Sequence, residues 1–352
     1  MPHIIFTDAP RALRLLVSPQ ASLQAIALLQ QTTYGTHGPQ YRHTGQAQKV
    51  AHITGPYFFE LWKGDELAGT YCLSERLVHT PAGLVPGYYG RYLAVAATHR
   101  GHGYGHLLKQ EAVRYIEGTR PAPQLFYSYI EGANARSLQI SAKAGFHVLA
   151  QLEALAFGRL YPRRDLRFGQ LLAAEQAAMR ARLAAAYQAH SLVQFDHLFD
   201  HDNYFVLRKN GEIIAGVQAN PTCWRIVAMP GLSGRLLLRV LPHVPVLKRL
   251  INPANHQFAA LEALYVQPGR EPELLALLES VLAHFGYTSA LVMLDTISPL
   301  HQYLKGSGKL GLLQAIKKPT YSQVLGKLNG LRPEQVKQAP AQPLYASAFD
   351  YT

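Results

Sequence analysis

Two stretches of the chain alternate apolar and polar positions around a short turn. Residues 57–69, YFFELWKGDELAG, turn at Lys63-Gly64-Asp65, and residues 204–216, YFVLRKNGEIIAG, repeat the pattern without a gap. A period of two on both sides of a turn predicts a β-hairpin. The stretches share identical residues at five positions, among them Tyr57 with Tyr204 and Gly69 with Gly216. These identities favour an internal repeat over chance similarity between two hairpins.

The elements predicted after each hairpin follow the same order in both halves. A strand at 87–97 leads through a loop into a helix at 107–118 and a β-rich run at 124–131, and residues 262–286 and 289–296 repeat that order. We therefore predict two similar domains, residues 1–160 and 161–330. The Pro- and Ala-rich residues 331–352 are predicted to form a C-terminal arm over the surface.

Composition is typical of a globular protein without membrane spans. The chain has 352 residues, 48% of them hydrophobic and 16% charged. It contains no run of about 18 apolar residues, as a transmembrane helix requires. The N-terminal stretch has Asp8 within its apolar part, unlike a signal peptide. We expect a cytoplasmic protein with no membrane partner.

Charge and cysteine content exclude several classes of function. The net charge is +12, but the basic residues are dispersed, so a nucleic-acid partner is not favoured. Cys72 and Cys223 are the two cysteines, and both fall in strand-like runs, which excludes a disulfide framework. The histidines follow no metal-binding motif, so we predict no metal site.

The most informative stretch is HRGHGYGHLL, residues 99–108, which places three glycines at alternate positions before a helix. Amide groups in the first turn of a helix lack intrahelical partners and carry a partial positive charge, so they bind phosphate well. Glycine lets the backbone approach an anion closely, and Arg100 adds a cation. A plain tight turn would need fewer glycines. The spacing fits neither the nucleotide P-loop nor the dinucleotide fingerprint.

Two motifs in this half match those of a known family. Residues 100–105 fit the pattern [RQ]-x-x-G-x-[GA], and NARSLQISAKAGF, residues 134–146, places an asparagine before a helix that ends in Gly-Phe. The sequence resembles the GNAT N-acetyltransferase superfamily. The resemblance implies an α/β (α+β) fold of two GNAT-like domains, each a mixed, mostly antiparallel twisted sheet flanked by helices. The first would be the catalytic acyl-CoA-binding domain and the second a degenerate copy.

The resemblance also implies the cofactor and its contacts. Acetyl-CoA, or another acyl-CoA, would bind with its pyrophosphate on the loop and its pantetheine arm along the preceding strand. The backbone of Leu93 and Val95 would contact the pantetheine, and the Asn134 side chain would hold the cofactor from the opposite strand. The loop residues are Arg100, Gly101, His102, Gly103, Tyr104 and Gly105.

The acid and base of the reaction are less clearly marked. Acyl transfer needs a neutral amine and a proton for the leaving thiolate. Relatives often supply that proton from a tyrosine seven residues after the asparagine, where this chain has Ser141. Ser141 acting through water, or Tyr129 or Tyr127 in its place, are the candidate acids. Glu75 is the candidate base, with Glu131 the other near acid and ordered water the alternative.

The second half lacks the glycine loop. Its helix begins in QPGREPELL, where Glu271, Pro272 and Glu273 disfavour a pyrophosphate, and Asp295 stands where an asparagine would recur. We therefore predict one acyl-CoA per chain, with the second half completing the acceptor pocket or a homodimer.

The predicted activity is N-acyl transfer, with acetyl passing from acetyl-CoA to a primary amine by direct transfer in a ternary complex. A small-molecule amine is the favoured acceptor, and an amino acid, an aminoglycoside-like sugar or a protein lysine stays open. A non-catalytic acyl-CoA-binding or regulatory protein is the alternative.

Overall fold

The computed structural model describes residues 2–36, 38–231, 234, 249, 251–337 and 342–352. The chain folds into two compact units. The first unit comprises Met1–Thr36, Arg42–Gln151 and Ser322–Ala339, and the second comprises His37–Tyr41, Leu152–Tyr321 and Pro340–Thr352. Among the described residues, no helix is long and apolar enough to cross a membrane.

The helices and strands follow one another along the chain in this order. Up to residue 158 they are β1 His3–Asp8, β2 Leu13–Ser18, α1 Leu23–Gln31, β3 Gln40–His43, α2 Gln46–Ala51, β4 Pro56–Lys63, β5 Glu66–Thr80, β6 Gly83–Val95, α3 Tyr104–Thr119, β7 Gln124–Glu131, α4 Ala135–Lys143 and β8 His147–Gly158. From residue 168 onward, the described elements are β9 Phe168–Gln170, α5 Gln176–Ala186, β10 Tyr204–Lys209, β11 Glu212–Ala228, β12 His256–Val266, α6 Glu271–Phe285, β13 Ser289–Asp295, α7 Pro299–Gly306, α8 Leu312–Ile316, β14 Tyr321–Asn329, α9 Pro333–Val336 and α10 Ala348–Tyr351.

The first unit is a twisted sheet with α3 packed on one face. Its strands lie in the order β1-β2-β4-β5-β6-β7-β14, and only β6 and β7 run parallel. Phe59, Leu73 and Tyr88 from the sheet pack with Leu108 and Ala112 from α3 in one buried cluster. Burying this apolar face against a helix accounts for much of the stability of such a layer.

The second unit has the same kind of layer. Its strands lie in the order β8-β13-β12-β11-β10-β9, and only β12 and β13 run parallel. Leu274, Leu278 and Leu282 of α6 pack with Phe205 and Leu261 from the sheet. Each unit is thus a mixed, mostly antiparallel sheet flanked by helices, which confirms the predicted fold class.

In each unit, one strand at the end of the sheet comes from the other half of the sequence. β14, which falls in the predicted domain 161–330, pairs antiparallel with β7 of the first unit. β8, which falls in the predicted domain 1–160, pairs with β13 of the second unit through Leu152–Gly158. The boundary therefore lies at 151 and 152 and not at 160. The arm 331–352 is divided as well, because α9 belongs to the first unit and residues 342–352 to the second.

The two hairpins correspond with a shift of one residue from the gap-free alignment. In each, a lysine and a glutamate form the last strand pair before a two-residue turn (Lys63 with Glu66, and Lys209 with Glu212). Counted back from that pair, Tyr204 takes the place of Phe58, not of Tyr57. The predicted equivalence of Gly69 with Gly216 is displaced in the same way.

The shift matters because a one-residue slip moves a side chain to the opposite face of a sheet. Tyr57 packs against the cluster that includes α3. Tyr204 lies in a different cluster with α5 residues, whereas its neighbour Phe205 packs with α6. The repeated letters are therefore an imperfect guide to which residues are structurally equivalent.

Candidate functional site

The strand before the glycine loop separates from its parallel neighbour. β6 pairs with β7 from Gly87 to Tyr89, so Leu93 and Val95 lie beyond the end of this ladder. Its pairing with β5 shifts register near Tyr92, whose φ is +58°. Such a bulge redirects a strand and ends its pairing. Leu93 and Val95, predicted to contact the pantetheine, both lie on this separated stretch.

The loop that follows has an open space above it. Gly101 and Gly103 have left-handed backbones, with φ of +90° and +78°, and a Cβ atom at either would meet no other heavy atom within 4 Å. The helix α3 begins at Tyr104, and its first bonded amides, those of His106 and Leu107, donate to the Gly103 carbonyl at 3.0 and 3.1 Å. The amides of residues 101–105 precede these bonds. Open space over such amides fits the pyrophosphate of an acyl-CoA.

Side chains around the loop tie it to the neighbouring elements. Arg100 donates from Nε to the Val95 carbonyl at 3.3 Å. The His102 ring lies 5.6 Å from the ring of Tyr104, which is itself buried. Gly105 is close-packed, because a Cβ atom there would lie 3.3 Å from Cδ1 of Ile140. The start of α3 therefore meets α4 directly.

Asn134 is the N-cap residue of α4, directly before the first residue of the helix. Its side-chain oxygen accepts a hydrogen bond from the Ser137 amide at 3.1 Å. Capping of this kind stabilises a helix by about 1 kcal/mol. The oxygen is thus used within the chain, and the Nδ2 group is the part of Asn134 that remains able to donate to a cofactor.

Ser141 is buried and accepts a hydrogen bond from a lysine. The Nζ atom of Lys109, on α3, donates to Ser141 Oγ at 2.6 Å and lies 3.9 Å from the centre of the Phe146 ring. Burial lowers the pKa of Lys109 to about 7. Lys109 is not among the residues predicted from the sequence. Its position between Leu108 and Ala112, on the apolar face of a helix, is the signal that could have identified it as a buried lysine.

Glu75 belongs to a polar cluster on the α3 side of the sheet. Its carboxylate accepts hydrogen bonds from Tyr57 at 2.8 Å and Tyr88 at 3.4 Å, and Arg120 lies 3.4 Å away. Arg120 also donates to the Tyr57 hydroxyl. Burial raises the pKa of both tyrosines. A cavity of about 360 Å³ opens beside Glu75 and Arg120.

Tyr129 lies on the opposite face of that sheet. Its ring is 5.1 Å from the ring of Tyr89, which also contacts Tyr127 at 5.3 Å. Because side chains alternate along a strand, Tyr89 and Tyr88 face opposite sides, and Glu75 contacts Tyr88. The structure therefore places the candidate base Glu75 and the candidate acid Tyr129 on different faces.

An acid at the end of β7 holds the chain segment that follows α1. Glu131 accepts hydrogen bonds from the Thr36 amide at 2.8 Å and its hydroxyl at 2.9 Å. Further along, the His43 ring contacts Tyr34 at 4.7 Å. Burial, followed by the positive charges of Lys49 and Arg91, lowers the pKa of His43 to about 3.

The second unit has a matching strand separation that holds a cavity. β12 pairs with β13 only from Ala259 to Leu261, and the cavity beyond that point measures about 770 Å³. The pairing of β12 with β11 also shifts register, at a bulge that includes Ala263 and Leu264. The carbonyl groups of these two residues already accept hydrogen bonds within the chain. Tyr204 donates its hydroxyl to the Ala263 carbonyl and Tyr187 donates to the Leu264 carbonyl, each at 3.0 Å.

The start of α6 is also occupied by the chain itself. Glu271 accepts a hydrogen bond from the Gly269 amide at 3.2 Å, and Glu273 pairs with Arg167 at 2.7 Å. Asp295 accepts from the Leu344 amide at 2.8 Å. Because Arg167 compensates Glu273, repulsion by that carboxylate is weaker than the sequence suggested. Occupied amides and carbonyls are the stronger reason against a cofactor here.

Comparison with known proteins agrees with this architecture. Residues 23–146 match the family model described as the acetyltransferase (GNAT) family. The fold is similar to Saccharomyces cerevisiae N-myristoyltransferase with bound myristoyl-CoA, with a TM-score of 0.61 and 9% identity over 94% of this chain and 88% of that one. A GCN5-related N-acetyltransferase from Anabaena variabilis gives a TM-score of 0.51 and 11% identity over 90% and 73%. One from Kribbella flavida gives 0.50 and 12% over 92% and 73%.

No curated protein sequence matches this chain. The fold is that of the GNAT acyltransferases. The match of residues 23–146 to the acetyltransferase (GNAT) family model agrees with the resemblance that the loop and the asparagine motif carry.

Proposed function

We propose that the protein is an N-acetyltransferase that moves acetyl from acetyl-CoA to a primary amine of a small molecule, by direct transfer in the first unit. One observation carries the proposal: the left-handed glycines Gly101 and Gly103, with open space above them, lie a few residues after the part of β6 that has separated from β7. An extended anionic thioester needs both features, amides for its phosphates and a free strand edge for its amide-bearing arm.

Named residues have distinct parts in this proposal. The amides of Gly101, Gly103 and Gly105, with those between them, bind the pyrophosphate, and Arg100 exchanges its bond to the Val95 carbonyl for a phosphate oxygen. The backbone of Leu93 and Val95 pairs with the pantetheine arm. The Nδ2 group of Asn134 donates to the same arm. We place this activity in the cytosol.

Deprotonation of the amine has two candidate routes. Glu75 already accepts three hydrogen-bond donors, Tyr57, Tyr88 and Arg120, so an incoming ammonium group has to displace one of them. Ordered water needs no such exchange. The water route therefore agrees better with the contacts around Glu75.

The alternative is a binding or regulatory protein that holds acyl-CoA without turning it over. It is favoured by the positions of the candidate catalytic residues, because Glu75 and Tyr129 lie on opposite faces of the sheet. The two functions share the cofactor site and differ only in turnover.

Two measurements on the full chain test the proposal. Calorimetry with acetyl-CoA and myristoyl-CoA measures binding and acyl-chain preference. Incubation with acetyl-CoA and a panel of amino acids, aminosugars and polyamines, followed by thiol detection and mass spectrometry, measures transfer. We expect acetyl-CoA binding and amine-dependent thiol release with one class of amine. Binding without release supports the regulatory alternative, and absence of binding overturns both.

A further inference from the structure

A lysine is buried between α3 and α4, and none of the carboxylates in the described residues pairs with it. Lys109 is 2% exposed, and in that part of the chain its hydrogen bond is to Ser141, with the Phe146 ring centre 3.9 Å from its Nζ atom. Removing an ammonium group from water costs several kcal/mol unless it is well paired. An apolar side chain would fill this position at lower cost, so stability does not explain the choice of lysine.

Lys109 and Ser141 lie close to the glycine loop of the proposed cofactor site. Lys109 follows Gly105 by one helical turn on the same face of α3, about 9 Å along the helix from Gly103. Ser141 is the next residue after Ile140. A Cβ atom at Gly105 would lie 3.3 Å from Cδ1 of Ile140 and 3.8 Å from Cγ2 of Val95, so Ile140 and Val95 both lie close to Gly105. The pair therefore lies beyond the loop, in the direction that an arm bound along β6 from Val95 towards Tyr89 would take.

Resting on the proposed function, we propose that Lys109 and Ser141 together supply the proton that the departing CoA sulfur requires. Ser141 is the candidate acid that the family resemblance implies, and the new part of the proposal is Lys109, which acts through Ser141 as a positioning and proton-donating residue. The serine accepts the lysine's hydrogen bond and keeps its own O–H free to donate.

The transfer exchanges one C–S bond for one C–N bond. The amine nitrogen bonds to the thioester carbonyl carbon, and the C–S bond breaks with its electron pair on sulfur. The Ser141 hydroxyl proton passes to sulfur, and an ammonium proton of Lys109 replaces it on Ser141 Oγ. The proton that the amine loses goes to solvent, and neutral Lys109 regains a proton from solvent. The products are an amide and the free thiol of CoA.

The pair suits this task better than serine alone. A serine hydroxyl is a weak acid, and an ammonium group beside it provides a ready proton. Burial is the one cause acting on the Lys109 pKa, which it lowers to about 7. The elements packed against the amine present Ser141 from α4 and the Phe146 ring, neither of which is charged. Lys109 therefore gives up its proton readily near neutral pH, and its contribution falls as pH rises through about 7.

The test compares Lys109→Met and Ser141→Ala with the exposed-lysine control Lys143→Met. For each we would measure the acetyl-CoA Kd by calorimetry, kcat by thiol release, and the pH profile of kcat. We expect Kd within about twofold of wild type for all three. We expect kcat to fall about a hundredfold in Lys109→Met and Ser141→Ala, the usual contribution of a general acid, and to stay unchanged in Lys143→Met. Lys109→Met should also lose the decline in kcat above pH 7.

A double variant separates a catalytic from a structural role. Lys109→Leu with Ser141→Tyr replaces the pair with a phenol, whose pKa near 10 should restore kcat and move its decline to higher pH. Restored kcat with the shifted profile supports the proposal even if Lys109→Met folds poorly.

Three results would overturn it. One is an unchanged kcat and pH profile in Lys109→Met, which leaves the proposed transferase function intact. Another is no rescue by the folded double variant. The third is acylation of Lys109 itself, detected by mass spectrometry, which would make it a nucleophile. A wild-type protein that binds acetyl-CoA but releases no thiol with any amine would overturn the transferase function as well.

Discussion

Tyr92 and Ala263 have left-handed backbones at the same place in the two units. Their φ values are +58° and +47°, and each lies three residues before the end of its strand, β6 or β12. A residue other than glycine in this conformation costs about 1 kcal/mol or more. Its recurrence means that the strand separation is built into both units. Geometry alone therefore offers two clefts, and the chemistry around each decides what it binds.

The first prediction concerns the glycine loop. Gly103→Glu adds a carboxylate above the loop amides, and we expect acetyl-CoA affinity to drop at least about tenfold, or 1.4 kcal/mol. Gly269→Glu is a matched control, because Gly269 has a φ of +76° against +78° at Gly103 and equally open space. Calorimetry on both variants checks this. Equal loss in the two variants would point to backbone strain and not to the site.

The second prediction is a binding stoichiometry of one acetyl-CoA per chain. In the second unit the Ala263 and Leu264 carbonyls are occupied by tyrosine hydroxyls, and the Gly269 amide by Glu271. A cofactor would have to break these bonds first. A calorimetric stoichiometry near two, or bound cofactor at the start of α6, would contradict the prediction.

The third prediction tests the hydrogen bond from the Tyr204 hydroxyl to the Ala263 carbonyl in the bulge of β12. Tyr204→Phe leaves the buried Ala263 carbonyl without the hydroxyl of Tyr204, and we expect unfolding free energy to fall by about 1–3 kcal/mol. Tyr161→Phe, at a tyrosine that is 66% exposed, should change it by less than about 0.5 kcal/mol. Urea denaturation followed by circular dichroism measures both. A Tyr204→Phe variant as stable as wild type would show that the hydroxyl contributes nothing there.

The fourth prediction concerns the pH dependence of stability that the buried carboxyl group of Glu262 causes. Burial raises the pKa of Glu262 from 4.5 to about 7, with the negative charge of Asp350 acting in the same direction and hydrogen bonds from Ser347, the Ala348 amide and Asn220 acting against it. Since the folded pKa exceeds the unfolded one, this contribution to stability is complete below about pH 4.5 and is lost as pH rises through about 7. The loss is about 3 kcal/mol at 1.36 kcal/mol per pKa unit.

Glu262→Gln should remove that dependence while keeping the hydrogen-bonding shape. We expect the free energy of unfolding of wild type, relative to the glutamine variant, to decrease between pH 4.5 and 8. Denaturation curves at several pH values measure the difference. Parallel pH profiles for the two proteins would show that Glu262 ionises as easily in the folded state as in the unfolded one.

Much of the local structure followed from local patterns. The hairpin predicted at 57–69 appears as β4 and β5, and the helix predicted after the glycines begins at Tyr104. Gly101 and Gly103 adopt the conformation that glycine favours. These features depend on a few neighbouring residues, so their signals are present in short stretches of sequence.

The side-chain contacts of the site were not visible in that way. Lys109 and Ser141 are 32 residues apart, and Glu75 and Arg120 are 45 apart. Which side chains meet depends on how α3 and α4 pack on the sheet. The roles assigned to Glu75, Ser141 and Tyr129 therefore stay predictions, although the structure already separates Glu75 from Tyr129.

By itself, the sequence determined the order of the elements, the fold class and the position of the glycine loop, because each follows from hydrophobic period, turn chemistry and the backbone freedom of glycine. Only the tertiary structure decided which strand lies at the end of each sheet and which cluster each hairpin residue packs in. It also decided that Lys109 donates a hydrogen bond to Ser141. The pairing of β14 with β7 and of β8 with β13 joins strands that are far apart in the sequence, and no local pattern encodes such pairing.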